Sequence, residues 1–251
     1  MKLGAQFFSI RDKNTTPEGL YNSFKEMSDI GYKTAQMSAI CQIEPERLKG
    51  YSEEFSLPIV CTHSPLSRIL EDTDNLIKEH KIYGCDTVGL GMMPKEYHGS
   101  YELTKEFLNK LKEPIKRIEG EGLKFAYHNH AFEFVSDKGT LLFDLFINEI
   151  PSLNFILDTY WVKYAGYDYL HYIKLLGKER IQNVHFKDMK TEPQGEICPC
   201  GEGVIDFKPL IKLCDELGIP NALVEQDNAP SFESSYEQMK ISFNNLIPLF
   251  K

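Results

Sequence analysis

One pattern constrains this chain more than any other: a short apolar run followed by a longer stretch of helical period, repeated from end to end. Leu3–Ile10 reads as the first strand. Thr16 before Pro17 and Glu18 opens a helix to about Ile30, with proline in the first turn, where its missing N–H costs nothing. Gly31 stops that helix, and Tyr32–Met37 is the second strand. A short helix near Pro45–Phe55 leads to strand Leu57–Thr62, which ends in His63. Helix Asp72–Tyr83, strand Asp86–Leu90 and a long amphipathic helix near Tyr101–Glu119 follow, the last with a kink expected at Pro114. Beyond Gly122 come strand Leu123–His128, helix Gly139–Ile150, strand Asn154–Leu157 closed by Asp158, helix Asp168–Leu176, and strand Ile181–Val184 closed by His185. Helix Asp206–Leu217 has Gly218 as its C-cap, strand Ala222–Val224 is closed by Glu225, and a last helix spans about Phe232 to Leu246. Eight such units in 251 residues, with no linker or repeat between them, predict one α/β domain over 1–251, a single (β/α)8 TIM barrel. A doubly wound open sheet competes, but the first unit has no glycine-rich turn.

Composition narrows the class further. Hydrophobic residues at 42% and charged residues at 26% are ordinary for a soluble domain, and no apolar run is long enough to span a bilayer. Arg11 and Asp12 cut short the apolar N-terminal stretch, so no signal peptide is expected, and the expected location is cytoplasmic with no membrane partner. A formal charge of −9 argues against a nucleic-acid surface. The six cysteines read as free thiols. Cys198 and Cys200 form the one close pair, too tightly spaced for a zinc knuckle and at most a weak redox or metal-scavenging loop.

In a (β/α)8 barrel the chemical groups come from the C-terminal strand ends. Those ends present Arg11, Gln36, His63, then His128 with His130 and Glu133, Asp158, His185 with Lys187 and Asp188, and Glu225. The residues closing strands five to eight would meet on one side of the mouth. Two imidazoles and two carboxylates suit one divalent ion, Zn²⁺ or Mn²⁺, with His128, Asp158, His185 and Glu225 as the expected ligands. Strand alternation places His128 and His130 on the same side and leaves either able to face the ion. Candidate catalytic groups are Glu133, His63, His130 and Lys187, the last as electrophile or as a base if burial lowers its pKa. Candidate substrate contacts are Arg11, for a phosphate or carboxylate, Asn129, and Trp161 with Tyr160 as an apolar wall. Gly201-Glu-Gly203 suggests a tight turn beside the mouth, and Asp227 and Asn228 either support the ligands or cap the last helix. His80, His98 and His171 are assigned to the surface.

Five segments together resemble the sugar phosphate isomerase/epimerase superfamily, the xylose isomerase-like barrels. They are Tyr127-His-Asn-His-Ala-Phe-Glu-Phe134, Leu157-Asp-Thr-Tyr-Trp161, Val184-His-Phe-Lys-Asp-Met189, Gly201-Glu-Gly-Val-Ile-Asp206 and Val224-Glu-Gln-Asp-Asn228. The resemblance implies a single divalent metal held at strand ends five to eight, with Asp158, His185 and Glu225 as the firmest ligands. It also implies an isomerase or epimerase acting on a sugar or sugar phosphate, by proton abstraction next to a carbonyl through an enediolate. The alternative is a metal-dependent lyase or dehydratase on a keto-sugar or keto-cyclitol, inosose dehydratase-like or a 3-keto-glycoside eliminase. The partner is then a small carbohydrate, and a homo-oligomer is compatible with it. Two positions depart from the pattern. His128 stands where sugar epimerases of this kind usually carry glutamate, and Trp161 stands roughly where the ketose 3-epimerases carry a histidine, so their two-base mechanism does not transfer intact. The superfamily's DNA endonuclease needs several metals and a basic face, which this acidic chain does not offer.

Overall fold

The computed structural model describes residues 1–192 and 194–250. Eight parallel strands build its central sheet: Lys2–Gln6 (β1), Ala35–Met37 (β2), Ile59–Thr62 (β3), Thr87–Leu90 (β4), Lys124–His128 (β5), Asn154–Asp158 (β6), Ile181–Phe186 (β7) and Asn221–Val224 (β8). Their order around the sheet is β3-β2-β1-β8-β7-β6-β5-β4, so the last strand pairs with the first and the sheet curls into a nearly closed barrel. The remaining seam lies between β3 and β4. There Ser64 N–H donates to the Gly89 carbonyl at 2.8 Å. Gly89 is what lets the seam close: a Cβ at this position would lie 2.0 Å from the Thr62 carbonyl oxygen.

Ten helices are described: Pro17–Ile30 (α1), Pro45–Glu54 (α2), Leu66–Glu71 (α3), Thr73–Tyr83 (α4), Tyr101–Gly120 (α5), Leu142–Glu149 (α6), Thr159–Tyr164 (α7), Tyr169–Arg180 (α8), Phe207–Leu217 (α9) and Ser235–Leu246 (α10). Buried leucines, isoleucines and phenylalanines join helices to sheet in one large core. A separate small cluster, Cys61, Ala126 and Ile156, lies on β3, β5 and β6. Each member is two residues before a strand-end group, His63, His128 and Asp158 respectively, so alternation sets them on one face as the floor beneath those groups. No described helix is long and apolar enough to cross a membrane.

The structure revises several boundaries. The expected strand Leu3–Ile10 ends at Gln6, because the Gln6 side chain accepts from Phe8 N–H and turns Phe7–Ile10 into a 3-10 helix. β7 continues two residues past Val184, so His185 stands within the strand instead of beyond it. α5 runs unbroken through Pro114. Helices α3 and α7 were not anticipated; α7 is N-capped by Asp158, whose side chain accepts from Trp161 N–H.

Candidate metal centre and active site

His128 and Asp158 end β5 and β6, His185 lies near the end of β7, and Glu225 follows β8 directly. Their donor atoms lie within 4.8 Å of one another, and all four residues are buried. The two imidazoles are oriented from behind. His128 Nδ1 faces the Gly91 carbonyl at 2.9 Å, and His185 Nε2 faces Gln36 Oε1 at 2.6 Å. Both partners are oxygens that only accept, so each outward nitrogen carries a proton and the inward nitrogen is the one left to take a proton or a metal ion. Those inward nitrogens meet carboxylate oxygens: His128 Nε2 and Asp158 Oδ2 are 3.2 Å apart, and His185 Nδ1 and Glu225 Oε2 are 2.9 Å apart. Each contact needs a shared cation, a proton or a metal ion; burial opposes the charged His185 ring, but Glu225 and Asp158 outweigh it and raise its pKa. The donor set therefore fits a divalent ion.

Lys187 supplies part of that positive charge. Its Nζ lies 3.0 Å from Asp158, 2.8 Å from Glu225 and 3.0 Å from Asp227, with the side chain only 1% exposed. Burial works against the ammonium, but these three carboxylates outweigh it and raise the pKa well above the ordinary value. The expectation of a lysine base made neutral by burial is thus corrected: here Lys187 is a cation and a hydrogen-bond donor. Burial likewise opposes ionisation of Asp158 and Glu225, and the Lys187 charge together with the histidines holds both carboxyls below the usual range. Burial raises the pKa of the Asp227 carboxyl against the Lys187 charge; with all three carboxylates ionised and both imidazoles neutral, the cluster carries the two negative charges that a divalent ion would neutralise.

His128 and Glu225 of the quartet line a cavity of about 380 Å³ at the barrel mouth, together with His63, His130, Met92, Lys187 and Asp227. Of the two histidines that alternation left open, His128 joins the quartet and His130 does not. His130 lies parallel to Phe132, 5.3 Å between ring centroids, and close to Trp161. Its Nδ1 is buried without a partner among the described residues, and burial, then the neighbouring His128 and the Lys187 ammonium, push its pKa well below the ordinary value. Burial and the neighbouring His128 and His185 do the same to His63.

Four sequence expectations are corrected by placement. Glu133 is fully buried and does not line the cavity; one carboxylate oxygen accepts from Tyr127 OH and the other from His130 N–H, and burial raises its pKa to about 7. It anchors the loop after β5 and does not reach a substrate as a base. Asn129 points to the opposite side of the strand from His128, where its Oδ1 accepts from Asp158 N–H at 2.9 Å. Arg11 donates to the carbonyls of Phe8 and Asp227 at 2.9 and 3.0 Å, tying the loops after β1 and β8 together instead of clamping an anion. Trp161 is outside the cavity lining, 5.3 Å from Lys187 Nζ across its ring face. The Gly201 and Gly203 amides donate to Asp188 Oδ2, so that turn is occupied by the chain's own carboxylate. Two histidines assigned to the surface also move inward. His80 is fully buried, its Nε2 2.9 Å from Thr62 Oγ1, and His98 stacks on Phe132. Cys198 and Cys200 are buried, and burial raises both thiol pKa values, which makes them unreactive. Gln6 and Gly91 were missed. The signal for Gln6 was a polar side chain closing an apolar strand.

A sequence profile of the xylose isomerase-like TIM barrel matches residues 24–240. The chain belongs to that family. A curated inosose dehydratase of Clostridium perfringens is 26% identical over 164 residues, 56% of this chain and 54% of the relative. The match thus spans about half the length of that curated relative. Among solved structures, a sugar phosphate isomerase/epimerase of Parabacteroides distasonis superposes with a TM-score of 0.79 at 21% identity, covering 100% of both chains. The IOLI protein, solved with a bound zinc atom, has a TM-score of 0.76 at 15% identity over 99% of this chain and 98% of its own. At these identities the structural likenesses speak for the barrel alone.

Proposed function

We propose that this family member is a divalent-metal-dependent lyase that removes water from a keto-cyclitol or keto-sugar. The observation that carries the reading is a base and a donor outside the quartet but facing the same cavity: His130, with its unpartnered Nδ1, and Lys187, both packed against Trp161. His128, Asp158, His185 and Glu225 would hold the ion, Zn²⁺ or Mn²⁺ by the character of a two-nitrogen, two-oxygen set. When bound, such an ion supplies Lewis-acid polarisation of the substrate carbonyl. His130 Nδ1 takes the proton from the carbon next to the carbonyl. The electron pair released forms the carbon–carbon double bond, and the β-hydroxyl departs with a proton from Lys187 as water. The inosose dehydratase relative supports this chemistry, as does the bound zinc of the IOLI protein.

The cavity suits one six-membered polyol ring. Lys187 is the lone lysine or arginine among the described residues lining it, and three carboxylates already engage it. That favours an unphosphorylated substrate. One observation keeps the isomerase or epimerase reading second: His63 and Lys187 line the cavity from β3 and β7, so a proton could leave one face and return at another. Incubation with a keto-inositol and Zn²⁺ or Mn²⁺ in deuterated water separates the two. The lyase gives rising ultraviolet enone absorbance and loss of one water by mass. Solvent deuterium in an otherwise intact substrate, without absorbance, would establish the second reading in its place.

A further inference from the structure

We infer that His63 faces the cavity as a fixed hydrogen-bond donor, offering Nε2–H to a substrate oxygen, and that Gln6 is the positioning residue that locks it in this tautomer. Gln6 closes β1 and is fully buried. Its Oε1 accepts from Phe8 N–H at 3.1 Å, which decides which way the amide points. The amide nitrogen is therefore the atom 3.3 Å from His63 Nδ1. An NH₂ group only donates, so Nδ1 must accept, and a neutral imidazole that accepts at Nδ1 carries its proton at Nε2. Ser38 Oγ, also 3.3 Å from Nδ1, can donate to the same lone pair. Nε2 is buried and has no partner among the described residues.

A buried donor without an acceptor is costly unless something else fills the place. Here the ring lines the cavity beside Glu225 and Lys187. Gly91 makes room for it, since a Cβ there would lie 3.0 Å from His63 Nδ1. The same tautomer keeps His63 out of the metal set, although its ring centroid is 5.1 Å from that of His128: a protonated Nε2 has no lone pair to give. The ligand chemistry that matches is an acceptor oxygen, a carbonyl or hydroxyl of a polyol, and not a cation or an amine. The assignment of the substrate atom rests on the proposed function. The tautomer does not.

Long-range proton–nitrogen NMR of the labelled, metal-loaded protein reads it directly, with His63 assigned by its loss in His63→Gln. The expected wild-type spectrum has a protonated Nε2 and an unprotonated Nδ1. Gln6→Glu, which puts an acceptor where the amide donated, is expected to protonate Nδ1. A proton on Nδ1 in the wild type, or an unprotonated Nδ1 in folded Gln6→Glu, overturns the inference. Should that variant not fold, the wild-type spectrum alone still decides. Saturation with a keto-inositol, its binding measured separately by calorimetry, is expected to shift the Nε2 proton resonance. Bound probe with an unmoved resonance overturns the donor role, and no binding overturns it together with the proposed substrate. The expected tautomer in a protein that binds the probe without eliminating water would sink the lyase reading alone.

Discussion

Replacing Asn129 with alanine tests whether the centre is held from behind. The ladder between β5 and β6 ends at the His128–Ile156 pair, so the next backbone groups of β6 lack strand partners on that side. Asn129 substitutes for the missing ladder by accepting from Asp158 N–H at 2.9 Å; its second contact, to the Asp158 carbonyl, is 3.4 Å and adds little. Asp158 is fully buried, so water cannot replace the lost acceptor. Stranding one buried N–H costs about 1–3 kcal/mol. For a chain of this size each kcal/mol lowers Tm by about 2–4 °C, and the middle of the range gives a drop of about 4–8 °C in Asn129→Ala. Loosening Asp158 should also weaken metal binding by roughly 10–100-fold, the usual effect of losing a residue that orients a ligand. Differential scanning of the metal-free protein and a Zn²⁺ titration measure the two effects separately. Unchanged Tm and metal affinity together with a raised KM would refute the clasp and return Asn129 to the substrate.

Other consequences follow from the same geometry. Asp158→Ala and Glu225→Ala should each abolish stoichiometric Zn²⁺ or Mn²⁺ by elemental analysis, whereas His130→Ala should retain it; full occupancy in either carboxylate variant would remove the quartet as the metal site. Lys187→Met should keep the metal but lower turnover of a keto-inositol by at least about 100-fold, because the leaving hydroxyl loses its donor. Burial holds the pKa of His80 at about 4 against an ordinary 6.5. The unfolded chain therefore takes up this proton first: the contribution is complete above about pH 6.5 and is lost as pH falls towards 4, by on the order of 3 kcal/mol. Urea melts at pH 7 and pH 4 should show a smaller acid loss in His80→Gln than in the wild type, and equal losses would contradict that account.

The barrel was legible because its evidence is redundant. Each strand is an apolar run bounded by turn residues, and eight of them in series restrict the layout even when single ends are misplaced, as with Leu3–Ile10 and the continuation of β7 past Val184. The quartet was legible for a related reason: an ionisable residue that closes an apolar strand is aimed at the mouth by the strand itself. That rule fails where the strand stops. His130 shares parity with His128, but pairing ends at His128 and the chain turns at Asn129, so parity no longer predicts direction. Polar residues in the loops were misread for another reason. Arg11, Asn129 and Glu133 all lie near the mouth, and each is used by backbone groups of a neighbouring segment: the carbonyls of Phe8 and Asp227, the N–H of Asp158, the N–H of His130. Loop backbones must satisfy those groups, and a sequence does not state which side chain is assigned to the task.

The histidine at the end of β5 has to be considered with Lys187 and Asp227. In isolation, His128 in place of the usual glutamate removes one negative charge from the ion's surroundings and should weaken the site. Asp227 returns that charge at 3.0 Å from Lys187, and Lys187 in turn bridges Asp158 and Glu225. With a divalent ion the whole buried group closes at neutrality, a balance that a fourth ligating carboxylate would upset by one charge in a low-dielectric interior. The exchange also changes what reaches the cavity. Lys187 is held by carboxylates on the side of β6 and β8, and the loop after β5 presents His130, an imidazole whose Nδ1 has no partner among the described residues, instead of a second carboxylate. A centre that pairs one neutral base with one ammonium is better matched to taking a proton from carbon and giving one to a departing hydroxyl than to passing a single proton between two carboxylates. The residue that departs from the epimerase pattern thus belongs to the set of groups on which the proposed elimination rests.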